Sequence, residues 1–192
     1  TQKLLRSKFS SGFDLSKNTI DVTLSYSRLI SVNVIGEVVN PGTYSFNALN
    51  NPFHALAFAG GPNNLASIRN VKLYRDGKIK DIIDFYDFFV NPEDFKIPFL
   101  EDGDFLMIPS YEILANVSGA FKRQMNYEML ADETIDDLLR FTAGFDSYAY
   151  DDKIKIYRKE GKENIILDVQ ASNFQRTPVL NGDSIYANYK EG

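Results

Sequence analysis

Hydrophobic and polar residues alternate with period two at Ile20, Val22, Leu24 and Tyr26 against Asp21, Thr23 and Ser25, and again at Ile30, Val32 and Val34 against Ser31 and Asn33. That period places every second side chain on one face, so both stretches predict strands with a single buried side. The second strand runs into Asn40-Pro41-Gly42. Pro presets φ at one turn position and Gly accepts a positive φ at the next, which predicts a tight turn and a return strand over Thr43 to Phe46. The period then changes. Pro52, Ala55, Leu56 and Ala59 form the stripe of a short helix, with Asn51 as its N-cap, Pro52 in its first turn and Gly60-Gly61-Pro62 as its stop. Arg69 to Tyr74 and Lys78 to Ile83 read as a hairpin about Asp76-Gly77. Asp84 to Phe89 reads as one helical turn, and Phe105 to Ile108 as a last strand after a turn over Leu100 to Asp104. Ahead of all these elements, Lys3 to Phe9 reads as a short helix.

The same succession then recurs. Gly36 and Gly119, Tyr44 and Tyr127, Leu56 and Leu139, Phe58 and Phe141, and Gly61 and Gly144 are each separated by 83 residues, and the same shift carries Val71-Lys72-Leu73-Tyr74-Arg75 onto Ile154-Lys155-Ile156-Tyr157-Arg158. Chance does not hold one offset over such a length without a gap, so the pattern marks a duplicated unit. Two copies of domain size make a tandem pair and not a solenoid. In the second copy Ile113, Ala115 and Val117 take the buried side of the first strand, and Lys122 to Met125 stand in place of the Pro-Gly turn. Thr134 with Asp137 forms a capping box, and Ile135, Leu138, Leu139 and Thr142 form the helix stripe. Ile154 to Tyr157 and Ile165 to Val169 flank Glu160-Gly161 as a hairpin, and Ser184 to Ala187 close the unit. Hairpin, helix, hairpin and closing strand predict an α+β fold of two tandem β-grasp domains, each a small mixed sheet curled over one helix. The expected organisation is an N-terminal helix and strand extension over 1–28 packed on the first copy, a first domain over 29–111 and a second over 112–192.

Composition narrows the chemistry. With 192 residues, 44% of them hydrophobic, the chain fills two small cores, each large enough to fold without staples. It contains no cysteine, which removes thiol catalysis, disulfides and thiolate metal sites together. A net charge of −5, with basic residues scattered singly, argues against nucleic acid, whose binding requires clustered Lys and Arg. No apolar run approaches the roughly 20 residues of a membrane helix. The chain begins at Thr1 with neither an initiator Met nor a signal-peptide pattern, as expected of a piece of a longer protein.

No catalytic constellation stands out in the sequence. His54, the single histidine, has no partner at ligand spacing and reads as an ordinary first-turn residue. Asp102 and Asp104 flank a glycine in a turn whose second copy is Asn181-Gly182-Asp183, which fits side-chain-to-backbone turn bonding. Asp136 and Asp137 sit where a helix dipole favours negative charge. Neither a phosphate-cradling glycine loop nor a calcium loop occurs. No catalytic, cofactor-binding or metal residue is therefore assigned. The aromatic content is more informative: 15 Phe and 11 Tyr exceed what two small cores need. Tyr44, Tyr127, Tyr148 and Tyr150 fall near turns and helix ends, as candidates for stacking on a sugar or filling a neighbouring subunit.

The pattern Val34-Ile35-Gly36-Glu37-Val38-Val39-Asn40-Pro41-Gly42-Thr43-Tyr44, then Ala59-Gly60-Gly61-Pro62, Asp84-Phe85-Tyr86-Asp87-Phe88, Asp102-Gly103-Asp104 and Ile108-Pro109, resembles the soluble-ligand-binding β-grasp domain. Its tandem arrangement is most similar to the copies in outer-membrane polysaccharide export proteins. Residues 29–111 match the pattern well. Residues 112–192 keep Gly119, Tyr127, Ala143-Gly144 and Gly182-Asp183 but lose Pro-Gly. The resemblance implies a non-catalytic module at the periplasmic face of the outer membrane of a Gram-negative bacterium. It implies no cofactor, and as partners a capsular or exopolysaccharide, further copies of the same protein in a ring, and an inner-membrane polysaccharide co-polymerase. The alternative is a glycan- or small-ligand-binding module without a transport role.

Overall fold

The structure is a computed structural model, and it describes residues 28–190. The helix expected over Lys3 to Phe9 and the strand expected over Ile20 to Tyr26 lie outside the described residues. Two five-stranded mixed sheets follow one another along the chain. The first contains β1 (Leu29–Gly36), β2 (Gly42–Asn47), β3 (Val71–Arg75), β4 (Lys78–Ile83) and β5 (Phe105–Ile108), in the order β2-β1-β5-β3-β4. The second repeats that order as β7-β6-β10-β8-β9, from β6 (Ile113–Gly119), β7 (Asn126–Met129), β8 (Lys153–Glu160), β9 (Glu163–Gln170) and β10 (Ser184–Ala187). In each sheet the first and last strands pair parallel at the centre, and every other pairing is antiparallel. The helices are α1 (Pro52–Phe58), α2 (Tyr86–Val90) and α3 (Ile135–Phe141), with a 3₁₀ segment over Ala171–Arg176. Among the described residues no helix is long and apolar enough to cross a membrane.

The period-two pattern of β1 buries Ile30, Val32 and Val34, and α1 lays Ala55 and Leu56 over them together with Ala59. Leu73, Leu106 and Ile108 complete that core, and Ala115, Val117, Ile135, Leu138, Ile154, Ile156 and Ile185 build its counterpart. Burying each of these larger aliphatic side chains is worth about 1.5–3 kcal/mol. Helix starts follow the expected caps. The Asn51 side chain accepts from the His54 backbone N–H at 3.2 Å, while His54 Nδ1 accepts in return from the Asn51 N–H at 3.4 Å. In the second domain the Thr134 N–H and hydroxyl both donate to Asp137 at 3.0 Å.

Three local expectations are corrected. Gly42 does not supply a positive φ: it pairs with Val34 as the first residue of β2. The connection is wide because it is tied to the end of α1, where Val39 N–H donates to the Gly61 carbonyl at 3.0 Å and Asn40 N–H to the Ala59 carbonyl at 2.8 Å. The left-handed residue is Gly36, at φ 94°. The second correction concerns the hairpin between β8 and β9, whose turn is Gly161-Lys162, because Glu160 still pairs with Glu163. The third is Arg69, which stands before β3 and serves a different purpose.

Gly36 shows why the repeat keeps a glycine there. A Cβ at that position would lie 2.0 Å from the Ile108 carbonyl oxygen, and one at Gly119 would lie 2.2 Å from that of Ala187. Both glycines therefore let the parallel central strands close. Gly36→Ala combines a left-handed backbone with a clash against immovable main chain, and is expected to cost upwards of about 3 kcal/mol in urea unfolding.

Candidate functional site: an interdomain joint and an aromatic recess

The two domains meet through a compact set of polar and aromatic side chains centred on Arg69. Its guanidinium lies 4.7 Å from the Tyr86 ring centre and 4.8 Å from that of Phe141, one ring from each domain. In the plane of the guanidinium, Nε and Nη2 donate to Asp84 of the first domain at 3.0 to 3.3 Å, and Nη1 and Nη2 reach Glu133 of the second. Nη1 also donates to the Glu128 carbonyl at 3.2 Å. The side chain is 5% exposed. Burial pulls its pKa down, but the hydrogen bonds to Glu133 and Asp84 outweigh that and raise it, so the charge is fixed.

Glu128 anchors the joint from the second domain. Its carboxylate accepts from the Ser67 hydroxyl and from the Ile68 N–H at 2.9 Å, and its own N–H donates to the Tyr86 hydroxyl at 3.1 Å. Burial pushes the Glu128 carboxyl up, against the opposing pull of the Ser67 and Ile68 donors and of Arg69. Burial likewise raises the Tyr86 hydroxyl. Tyr86 packs edge-on against Phe141 with ring centres 4.9 Å apart, and although it comes from α2 it belongs to the second domain's core. Ile68 touches both cores. No buried side-chain polar atom among the described residues lacks a partner.

A second ion pair occurs once in each domain. Arg75 donates through Nε and Nη2 to Asp104 at 2.8 and 2.9 Å and also contacts Glu101; Arg158 repeats the fork on Asp183 at 2.8 and 2.7 Å. Both aspartate side chains are fully buried. Within the turns it is Asp104 and Asp183 that bond locally, accepting from the Glu101 N–H at 2.7 Å and the Leu180 N–H at 2.9 Å, whereas Asp102 and Asn181 reach across to the Ser31 and Leu114 N–H of the first strand in each sheet. These carboxylates close the turns that lead into β5 and β10. Among the described residues no three His, Asp or Glu side chains come together as metal ligands.

The four candidate tyrosines divide. Tyr44 is half-buried and donates its hydroxyl to the Asn40 carbonyl at 2.6 Å, and buried Tyr127 does the same to Arg123 at 3.0 Å. Each pins its own loop, which accounts for their shared place in the repeat. Tyr127 also borders an apolar recess of about 190 Å³ between the domains, with Ile68, Phe89, Met125 and Phe141. Tyr148 and Tyr150 are exposed at the far end of the second sheet. Tyr150 lines a recess of about 450 Å³ with Lys153, Asn188, Tyr189 and Lys190.

The joint was not visible in the repeat because it uses positions where the copies differ. Asp152 stands at the place of Arg69, Ser45 at that of Glu128 and Asn50 at that of Glu133. The usable signal was a set of unmatched charged residues at otherwise aligned positions.

Two five-stranded mixed sheets of the same strand order, each with short helices, define a tandem pair of α+β domains. The SLBB domain model matches residues 31–81 and 114–167, together more than half of the chain, and the chain belongs to the SLBB domain family. No curated protein matches it.

Proposed function

We propose that this chain is the non-catalytic tandem module of a polysaccharide export protein at the periplasmic face of the outer membrane, where it helps build a ring around the export path. The observation that carries the reading is the contact between the two SLBB domains through Arg69, Tyr86, Glu128 and Glu133. A stiff pair presents its outer faces at a fixed angle, which a closed ring of identical subunits requires. Large apolar side chains left exposed on the first domain, including Phe53, Phe58, Phe88 and Phe89, offer surface for neighbouring copies. Capsular or exopolysaccharide would be the cargo, and an inner-membrane polysaccharide co-polymerase the facing partner. The test is the oligomeric mass of the full-length protein in detergent. A discrete oligomer is expected, and a strictly monomeric protein would count against the reading.

The recess around Tyr150 and Tyr189 favours a second reading, a glycan-binding module without a transport role. Binding of oligosaccharide by a protein that remains monomeric at full length would support it over the first.

A further inference from the structure

The duplication supplies its own control for the recess in the second domain. In the first domain, the strap before β3 is held to the chain leaving β5: Tyr111 N–H donates to the Leu65 carbonyl at 2.9 Å and Ser67 N–H to the Pro109 carbonyl at 2.7 Å. The second domain builds the same strap, with Lys190 N–H on the Tyr148 carbonyl and Tyr150 N–H on the Asn188 carbonyl, both at 2.8 Å. The backbone platform is the same, but its side chains are not. Ser67, Ile68 and Arg69 dock the first strap on the second domain, whereas Tyr150, Asp151 and Asp152 take those places in the second and cannot repeat the contacts with Glu128 and Glu133.

What replaces them is a surface suited to a ligand. Tyr150 and Tyr189 are 40% and 50% exposed beside the still more open Tyr148, and the Tyr189 hydroxyl donates to the Gly119 carbonyl at 3.2 Å, which leaves the ring at the surface. Lys153 Nζ stands 5.9 Å from the centre of the Tyr150 ring, and Lys190 and Asn188 complete the lining. No carboxylate is among the lining residues. Asp146 is occupied by the Tyr148 N–H at 2.9 Å, while Asp151 and Asp152 lie on the adjoining turn. Flat aromatic faces take the C–H side of a pyranose ring, an amide bonds its hydroxyls, and two ammonium groups at the rim select a sugar that carries a carboxylate.

We infer that the recess formed by Tyr150, Lys153, Asn188, Tyr189 and Lys190 binds an acidic glycan, a chain of uronate-type sugars, with the tyrosines stacking and the lysines pairing with carboxylates. The assignment rests on the glycan-handling reading above and adds the class of sugar and the residues that hold it.

The test is an amide-shift titration of the full chain with hexasaccharides of a polyuronate and, separately, with neutral maltohexaose. The polyuronate is expected to move the amides of Tyr148 to Lys153 and Asn188 to Lys190, with binding that weakens as salt is added. Replacing both lysines, Lys153→Gln with Lys190→Gln, is expected to weaken polyuronate binding about tenfold, and Tyr150→Ala with Tyr189→Ala to abolish it. Tyr150, Tyr189 and Lys190 are exposed and Lys153 is half-buried, and Tyr189→Ala removes the hydroxyl bond to the Gly119 carbonyl, so unchanged dispersion of the remaining amides is required to verify the fold. Equal binding of maltohexaose would overturn the acidic class, and shifts absent or confined elsewhere would overturn the site. The export reading fails separately: a monomeric full-length protein that still binds polyuronate loses the ring and keeps the recess, and an oligomer indifferent to both glycans does the reverse.

Discussion

Arg69→Ala is expected to uncouple the two domains. Removing the guanidinium leaves Asp84 and Glu133 facing each other beside Glu128, all partly or fully withdrawn from water, and opens a gap between the Tyr86 and Phe141 rings. Breaking a buried ion pair by deleting one partner costs about 3–5 kcal/mol, because the remaining charge keeps its desolvation penalty. Urea unfolding followed residue by residue should then change from one transition to two, with the sheet of β1–β5 and the sheet of β6–β10 melting apart. Arg69→Lys keeps the charge but loses the planar fork that reaches Asp84 and Glu133 together, so it should fall between wild type and alanine. The joint also has a pH signature. Because burial raises the Glu128 pKa, the folded state favours its protonated form; its contribution to stability is greatest at low pH and is lost as the pH rises through the shifted value. Glu128→Gln is accordingly expected to be milder than Glu128→Ala at neutral pH. A single coincident transition in Arg69→Ala would show that the domains are held together by other contacts.

Loss of the forked pair inside either domain should act locally and just as strongly. Arg158→Ala strands Asp183, whose side chain is fully buried and whose second oxygen also accepts from the Leu180 N–H at 2.9 Å. Hydrogen bonds to Asp183 raise the Arg158 pKa against the pull of burial, so the guanidinium keeps its charge. A cost of about 3–5 kcal/mol is expected, read as faster amide exchange in β8 and β10 with β1 to β5 unaffected while the joint holds. Arg75→Ala should mirror it in the first domain. The Arg75 side chain is more open, 21% exposed against 10% for Arg158, so water can solvate the stranded Asp104 better and the cost should be the smaller of the two. An equal or reversed order would contradict the ranking by burial.

Much of this architecture was legible in the chain. The alternation at Ile30, Val32 and Val34 fixed both the strand and the face it buries, and the Asn51-Pro52 and Thr134 signals located helix starts to the residue. Those signals are local: a strand period or a cap depends on neighbours a few positions away. The turn at Asn40-Pro41-Gly42 misled because its conformation is decided by a distant partner, the end of α1 carrying Gly60-Gly61. Arg75 and Arg158 matched in the repeat, yet their partners Asp104 and Asp183 lie 29 and 25 positions away, and only the fold brings them to a side-chain fork. Arg69 was hidden more thoroughly. Its contacts with Glu128 and Glu133 span about sixty residues and cross from one copy to the other, so a search for what the copies share passes over it. The tyrosines show the same limit from the other side. Tyr44 and Tyr127 stood out because they repeat, and they repeat because each pins its own loop. The recess instead gathers Tyr150 and Tyr189, which no spacing in the sequence connects.

The central claim is that duplication produced one rigid body with two differently equipped ends. Residual dipolar couplings measured on the full chain test it most directly, since they report the orientation of every amide relative to one external frame. A single alignment tensor that fits β1 to β5 and β6 to β10 together, and that splits into two in Arg69→Ala, is the predicted result. Two tensors of different magnitude in the wild-type protein would mean the domains reorient independently, and would contradict the account.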